Sequence, residues 1–257
     1  MLTERLALRR FTSADAANLL SLDGDPQVMR FLTGTTRSLA QIRYEVLPGL
    51  AGCHLRFPGF GYWAAETLTG GEFIGWFGLR PVTPTGDGIV HWPGAQGPTD
   101  VAELGYRLRR GAWGQGYATE GARALVRLAF TGLGLREVVA TTMAVNTGSR
   151  RVMEKAGLRY VRTVYLDWPD PLPGTEHGEV EYRLLREEWQ ELCATTAPQA
   201  APPLDASHPG VSQEQRPRRP SPPPGSRPAA RARGTTRRRA CRRLRCRTAW
   251  PRTSLSR

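Results

Sequence analysis

Residues Arg109–Gly121 read RRGAWGQGYATEG and place three glycines, Gly111, Gly114 and Gly116, directly before a stretch with helical spacing of apolar residues. The preceding residues alternate as in a strand. A strand, a glycine loop and a helix N-terminus together form an anion site, because free backbone amides point outward and the helix dipole adds positive potential. The segment therefore predicts a loop against which an anionic ligand lies closely.

Two phosphate-binding motifs do not fit this loop. A P-loop has Lys and Ser or Thr after its last glycine, whereas Gly116 is followed by Tyr117 and Ala118. A Rossmann fingerprint has the order GxGxxG, whereas the order here is GxxGxG. The alternative to a binding loop is a turn whose glycines only permit positive φ. Three glycines flanked by aromatic residues favour binding.

Strands and helices alternate on both sides of the loop. Apolar alternation predicts strands at Leu6–Phe11, Tyr62–Leu68, Phe73–Leu79, Val101–Leu108, Val138–Met143, Arg159–Leu166 and Val180–Leu185. Caps and helical spacing predict helices at Ser13–Leu22, Ser38–Leu50, Tyr117–Thr131 and Thr147–Ala156, the second ending near Pro48 and Gly49. The predicted class is mixed α/β. Gly105 inside its strand predicts a bulge that splays the sheet.

Charge divides the chain at about residue 197. The first 197 residues hold 21 basic and 21 acidic side chains, and the remaining residues hold 15 and 2. The sequence therefore predicts a domain at 1–197 and a Pro- and Arg-rich tail at 198–257, disordered because it has too few aliphatic residues to offset its ordering entropy. A nucleic-acid function, if there is one, belongs to this tail. A solvated extension without a role and an extended or frame-shifted reading frame are the alternatives.

The cysteines and the lack of a long apolar run indicate a reduced, cytoplasmic protein. Cys53 and Cys193 lie far apart, and Cys241 and Cys246 have neither a second pair nor nearby histidines to complete a zinc site. No apolar run approaches the roughly 18 residues of a membrane span. We expect no metal and no membrane partner.

Two segments carry a resemblance to a known family. YRLRRGAWGQGYATEGARALVRLAF and VNTGSRRVMEKAGLRY resemble the two core motifs of the GCN5-related N-acetyltransferases (GNAT), specifically the RimJ/RimL-type branch. TERLALRRFTSADA and GYWAAE with GEFIGWFGL resemble that branch too, so the resemblance covers Leu2 to Trp189. It implies a mostly antiparallel, splayed central sheet flanked by helices, and acetyl-CoA as cosubstrate.

The resemblance also implies the cosubstrate site. The residues it assigns to acetyl-CoA binding are Arg109, Arg110, Gly111, Trp113, Gly114, Gln115, Gly116, Tyr117, Ala118, Thr119, Asn146 and Ser149. The family usually has Gln or Arg at the position of Gly111, so Arg109 or Arg110 is expected to supply that charge. Asn146 is expected to contact the pantetheine arm, although an asparagine before a short helix is also a good N-cap.

Acetyl transfer needs a neutral amine and a stabilised thiolate, and no metal. The family's usual tyrosine is replaced by Met153, and the branch assigns its role to the serine found here at Ser149. Glu103 is the candidate base, acting through a water molecule. From spacing alone, Ser149 is an ordinary helix-start serine and Glu103 a solvent-facing strand residue.

The acceptor is a primary amine, either a protein N-terminal α-amine or a small molecule. Candidate lining residues are Phe31, Tyr62, Trp63, Trp76 and the loop at 167–178, whose Asp167, Asp170 and Glu176 favour a cationic amine. A catalytically silent acyl-CoA-binding module and a polyanion-binding protein acting through its tail are the competing functions. Both a monomer and a homodimer are compatible with the sequence.

Overall fold

The computed structural model describes residues 1–84, 90–91 and 100–196. Its strands are β1 Leu6–Arg10, β2 Gly61–Thr67, β3 Phe73–Pro81, β4 Thr83–Pro84, β5 Val90–His91, β6 Val101–Leu108, β7 Glu137–Met143, β8 Arg159–Val164 and β9 Glu179–Leu185. Its α-helices are α1 Ala16–Asp23, α2 Pro26–Met29, α3 Leu39–Gln41, α4 Leu47–Arg56, α5 Tyr117–Arg127, α6 Thr147–Lys155 and α7 Arg186–Thr196. The predicted tail, with Cys241 and Cys246, lies outside the described residues.

One seven-stranded sheet forms the centre, in the order β1-β2-β3-β6-β7-β9-β8. Every neighbouring pair is antiparallel except β6 and β7, which run parallel. The short strands β4 and β5 pair separately. The mixed α/β fold with a mostly antiparallel sheet is therefore confirmed.

The sheet splays between β6 and β7. These strands pair only from Val101 opposite Glu137 to Glu103 opposite Val139, after which β6 stays with β3 and β7 with β9. The predicted bulge at Gly105 is wrong, because Gly105 pairs with Gly78 in an unbroken register. The splay arises instead where the parallel pairing stops, and it leaves a gap in the middle of the sheet.

Helices cover both faces of the sheet. Leu125 of α5 and Tyr182 of β9 belong to the core on one face, and Leu19 of α1 and Leu50 of α4 belong to the core on the other. Helix α5 lies very close to the sheet, because a Cβ at Gly121 would come within 2.2 Å of the Phe77 ring. This approach places the N-terminus of α5 beside the gap.

Some helix bounds differ from the prediction. Helix α4 continues to Arg56 and does not end near Pro48 and Gly49. Helix α4 continues without a break from α3 through a π-helical turn at Ile42–Val46, in which the Leu47 amide donates to the Ile42 carbonyl, and Pro48 directly follows this wider turn. Helix α7 follows β9 directly and was not predicted. Within the described parts of the chain, every helix is too short or too polar to cross a bilayer.

Candidate active site

The glycine loop has the backbone that the sequence predicts. Gly114 has φ +74° and Gly116 has φ +83°, and Gly116 is the N-cap of α5. A Cβ at Gly114 would meet no atom within 4 Å, so its face is open. The first turn of a helix leaves amides without intrahelical partners, here those of Tyr117, Ala118 and Thr119. The loop can therefore receive an anion along its main chain.

Hydrogen bonds and a ring contact of Arg5 hold the glycine loop in place. The Arg5 guanidinium donates to the Gln115 carbonyl at 3.0 Å and to the Glu120 carboxylate at 2.7 Å, and it lies over the Tyr117 ring. Thr3 donates to the same carboxylate at 2.5 Å. These contacts hold the loop against the N-terminal segment.

The charged and polar side chains of the loop divide into occupied and free groups. Arg109 donates to Glu72 and to the Phe73 carbonyl, both at 3.1 Å, and so is tied to β3. The Gln115 amide donates to the Gly111 carbonyl at 2.6 Å. Among the described residues the Arg110 guanidinium has no hydrogen-bond or ion-pair partner. Arg110 is therefore the one of the two candidate arginines that is available to a phosphate.

Two cavities, each of about 290 Å³, border the gap. We call the first the loop cleft, which is lined by Leu108, Trp113, Gly114, Ala118, Thr147, Gly148 and Val152 together with the shared residues. We call the second the sheet cavity, which is lined by Tyr62, Trp76, Arg80, Glu103, Thr141, Trp168, Asp170 and Glu179 together with the shared residues. The shared residues are Phe31, Leu32, Tyr106, Arg107, Asn146 and Ser149. The two cavities therefore meet at these six side chains.

Asn146 caps α6 as the sequence predicts. Its Oδ1 accepts from the Ser149 backbone amide at 3.2 Å, and its Nδ2 donates to Thr142 Oγ1 at 3.0 Å. An N-cap bond of this kind satisfies an orphan amide of the first turn. It also fixes Ser149 at the junction of the cavities.

Tyr106 is a site residue that the sequence reasoning missed. Its hydroxyl lies 3.0 Å from Ser149 Oγ and also donates to the Ser149 carbonyl at 3.0 Å. Burial raises the pKa of the Tyr106 phenol above its usual value, so the phenol stays protonated. Met153, at the position of the usual family tyrosine, is instead buried in the core. Tyr106 of β6 thus brings a phenol to Ser149.

Glu103 lies inside the sheet cavity and is not a solvent-facing residue. Its carboxylate forms a buried ion pair with Arg80 of β3, its direct cross-strand neighbour. Thr141 of β7 donates to the other carboxylate oxygen at 3.4 Å. The predicted base is therefore present in the cavity, with its charge compensated by Arg80, a partner that was not predicted.

A second buried ion pair forms part of the wall between the cavities. Arg107 donates to Asp23 at the end of α1 over 2.5 Å, and Arg37 approaches the same carboxylate at 3.8 Å. Arg107 Nε and the second Asp23 oxygen have no hydrogen-bond partner among the described residues. The pair holds α1 against β6.

The predicted acceptor residues are only partly brought together. Phe31, Tyr62, Trp76 and Asp170 line the sheet cavity. Trp63 does not, because it packs edge-on against His54 with ring centres 5.0 Å apart. The carboxylates of Asp167 and Glu176 also lie outside the lining, and Glu176 accepts from the Gly174 amide at 2.8 Å.

Comparison with known proteins identifies this arrangement. A sequence model described as an acetyltransferase (GNAT) domain matches residues 5–159. The chain belongs to the GNAT acetyltransferase family. It is thus an N-acetyltransferase with acetyl-CoA as cosubstrate, as the sequence resemblance predicted.

Individual relatives of this chain are acetyltransferases too. The FsC-acetyl coenzyme A-N(2)-transacetylase of Aspergillus fumigatus is 41% identical over 173 residues, which cover 67% of this chain and 70% of the relative. An acetyltransferase structure from Agrobacterium tumefaciens is 26% identical with a TM-score of 0.52, covering 72% of this chain and 92% of that one. RimL, a ribosomal L7/L12 alpha-N-protein acetyltransferase in complex with coenzyme A, has the same fold at 18% identity and a TM-score of 0.57, covering 72% and 96%. Membership of the RimJ/RimL branch stays a prediction.

Proposed function

We propose that this acetyltransferase moves the acetyl group of acetyl-CoA directly to the primary amine of a small molecule. The observation that carries this proposal is the junction of the two cavities at Tyr106 and Ser149. A thioester that enters through the loop cleft and an amine that enters through the sheet cavity meet there. Direct transfer needs such a meeting point, because the nitrogen must reach the thioester carbonyl carbon.

In this proposal the coenzyme occupies the loop cleft. Its diphosphate accepts hydrogen bonds from the backbone amides between Trp113 and Thr119, where positive φ and the missing Cβ of Gly114 leave the main chain open. Arg110 supplies the charge at the entrance, since Arg109 is already paired with Glu72. Asn146 contacts the pantetheine arm with the Nδ2 hydrogen that Thr142 does not take.

The sulfur then leaves beside Ser149. The amine nitrogen forms a bond to the carbonyl carbon, the carbon–sulfur bond breaks, and negative charge develops on sulfur. The Ser149 hydroxyl stabilises that charge, and Tyr106 lies 3.0 Å behind it as a protonated phenol. For this, the phenol hydrogen of Tyr106 turns to Ser149 Oγ, which frees the serine hydrogen to donate to sulfur, and a donor aimed at developing charge lowers the barrier.

Glu103 has a less direct role than the sequence prediction gave it. Because Arg80 compensates its charge, Glu103 attracts an ammonium group more weakly than a free carboxylate does. We propose that the pair fixes the polar floor of the sheet cavity. If Glu103→Gln lowers turnover but keeps the shape of the pH–rate profile, the result supports this structural role. If the variant loses the rising limb of that profile, the result supports the original assignment of Glu103 as the base.

The fungal relative favours a small-molecule acceptor over a protein N-terminus. Its name describes transfer to an N(2) nitrogen of FsC, and it shares 41% of its residues with this chain over the aligned length. The resemblance to RimL, at 18% identity, supports the fold alone. We therefore propose a small-molecule amine, and the carboxylates of Asp170 and Glu179 in the lining of the sheet cavity favour a cationic one. A cytoplasmic location and a monomeric or homodimeric state stay predictions.

Mass spectrometry tests the reaction and the acceptor together. The protein is incubated with acetyl-CoA and a mixed panel of small primary amines and peptides with free N-termini. A mass increase of one acetyl group on a small amine supports the proposal, and acetylation of peptides alone contradicts the small-molecule assignment. Binding of acetyl-CoA without any product would identify a silent acyl-CoA-binding module.

A further inference from the structure

Three carboxylates share one face of the sheet beside the gap. In the pairing of β7 with β9, Thr141 lies opposite Glu181 and Met143 lies opposite Glu179. Residues directly opposite one another in a sheet lie on the same face. Thr141 donates to Glu103, so Glu103, Glu179 and Glu181 all belong to this face.

Two of the three carboxylates are already paired. Glu103 binds Arg80, and Glu181 accepts from Arg162 at 2.9 Å. Among the described residues, the Glu179 carboxylate has neither a hydrogen-bond nor an ion-pair partner, although it lines the sheet cavity. A partly buried carboxylate that faces a cavity without a cation is arranged to receive one from a ligand.

Other charged groups also border this cavity. They are Arg80 and Glu103, which neutralise each other, Arg107, which is paired with Asp23, and Asp170 on the loop before β9. On its own strand, Glu179 is followed by Glu181 and Arg183, and Glu176 and His177 precede it. Burial raises the pKa of the Glu179 carboxyl to about 7. A carboxyl with this pKa takes and releases a proton near neutral pH.

We propose that Glu179 is a catalytic residue that binds the ammonium group of the acceptor and accepts its proton. This role rests on the proposed acetyl transfer. The carboxylate first takes one proton from the ammonium, which leaves a neutral amine. The amine lone pair then attacks the thioester carbon, the electrons of the carbon–sulfur bond leave with sulfur, and the second nitrogen proton passes to the departing thiolate as the amide forms, which gives the CoA thiol.

The test compares Glu179→Gln with Glu181→Gln, using the small amine that gives product in the panel. Glu179→Gln keeps the shape of the side chain but cannot take a proton, so we expect about a 100-fold lower kcat/KM at pH 7. The rising limb of the wild-type profile near pH 7 should disappear, and alkali should partly restore the rate by supplying neutral amine. Glu181→Gln, on the same face but outside the cavity lining, should keep the wild-type rate and profile.

Further measurements guard against a folding defect. Glu179→Asp retains a proton acceptor and should keep a rising limb at reduced rate. Carboxyl-carbon NMR of the protein labelled at glutamate should show one group titrating near pH 7 that Glu179→Gln removes. If the wild-type protein transfers the acetyl group and Glu179→Gln does so at the same rate and with the same pH profile, the role of Glu179 is overturned and the proposed function stands. Absence of transfer by the wild-type protein to every amine would overturn the proposed function and this role together.

Discussion

Replacing Gly114 by alanine tests the glycine loop at a position where the added methyl group would not clash with the protein. Gly114 has φ +74°, and an added Cβ would meet no atom within 4 Å. The folding cost is therefore that of the left-handed backbone alone, about 1–2 kcal/mol for an L-residue. For a domain of this size that corresponds to a loss of roughly 2–8 °C in Tm.

The effect on CoA binding should be larger than this folding cost implies. The new methyl group projects into the loop cleft and prevents the diphosphate from lying against the amides after Gly114. A hydrogen bond from a backbone amide to a charged oxygen contributes about 1.5–3 kcal/mol. Loss of one such bond predicts CoA binding that is weaker by roughly 10- to 150-fold.

Gly70→Ala provides a matched control. Gly70 has φ +94°, also has no atom within 4 Å of an added Cβ, and lies in the turn between β2 and β3. Thermal melting should show similar losses for both variants, and calorimetry should show weaker CoA binding only for Gly114→Ala. Equal CoA affinities would refute the placement of the diphosphate. Gly116 is less suitable, because its Cβ would lie 3.3 Å from Arg5.

Three further predictions address chemistry, stability and the tail. Ser149→Ala should lower kcat by about 100-fold while calorimetry shows normal acetyl-CoA binding, and a more acidic thiol leaving group should restore the rate. Arg107→Met leaves the fully buried Asp23 with only a distant arginine, so denaturant unfolding should show a loss of about 3–5 kcal/mol; a loss below about 1 kcal/mol would contradict the pairing. A chain ending at Ala197 should keep its Tm and turnover, whereas lost turnover at equal Tm would show that the tail recruits substrate.

Local signals predicted the elements of the fold well. Alternation located β6, and glycines with a following amphipathic segment located the start of α5. The helix near Pro48 was ended too early, because proline breaks a regular helix interior, whereas here a π-helical turn at Ile42–Val46 precedes Pro48 and the helix continues to Arg56. The sequence does not show where a helix changes from α to π hydrogen bonding.

Residues recruited by long-range pairing were not predictable in the same way. Tyr106 reaches Ser149 across 43 positions of sequence, and Glu179 enters the sheet cavity only because β9 pairs with β7. Local periodicity carries no information about which strands become neighbours or in which register. The resemblance identified Ser149 as a candidate, but it did not identify the neighbouring phenol of Tyr106 or the unpaired carboxylate of Glu179.

The error at Gly105 and the view of Glu103 as a lone base have one common cause. In a sheet, a one-residue shift of register moves every following side chain to the other face. A bulge at Gly105 would have separated Glu103 from Arg80, whereas the unbroken register sets the two directly opposite each other. The register of β3 against β6 thus turns the predicted base into half of an ion pair. The proposed base of the sheet cavity is therefore Glu179, a carboxylate without an ion-pair partner among the described residues whose burial raises its pKa to about 7.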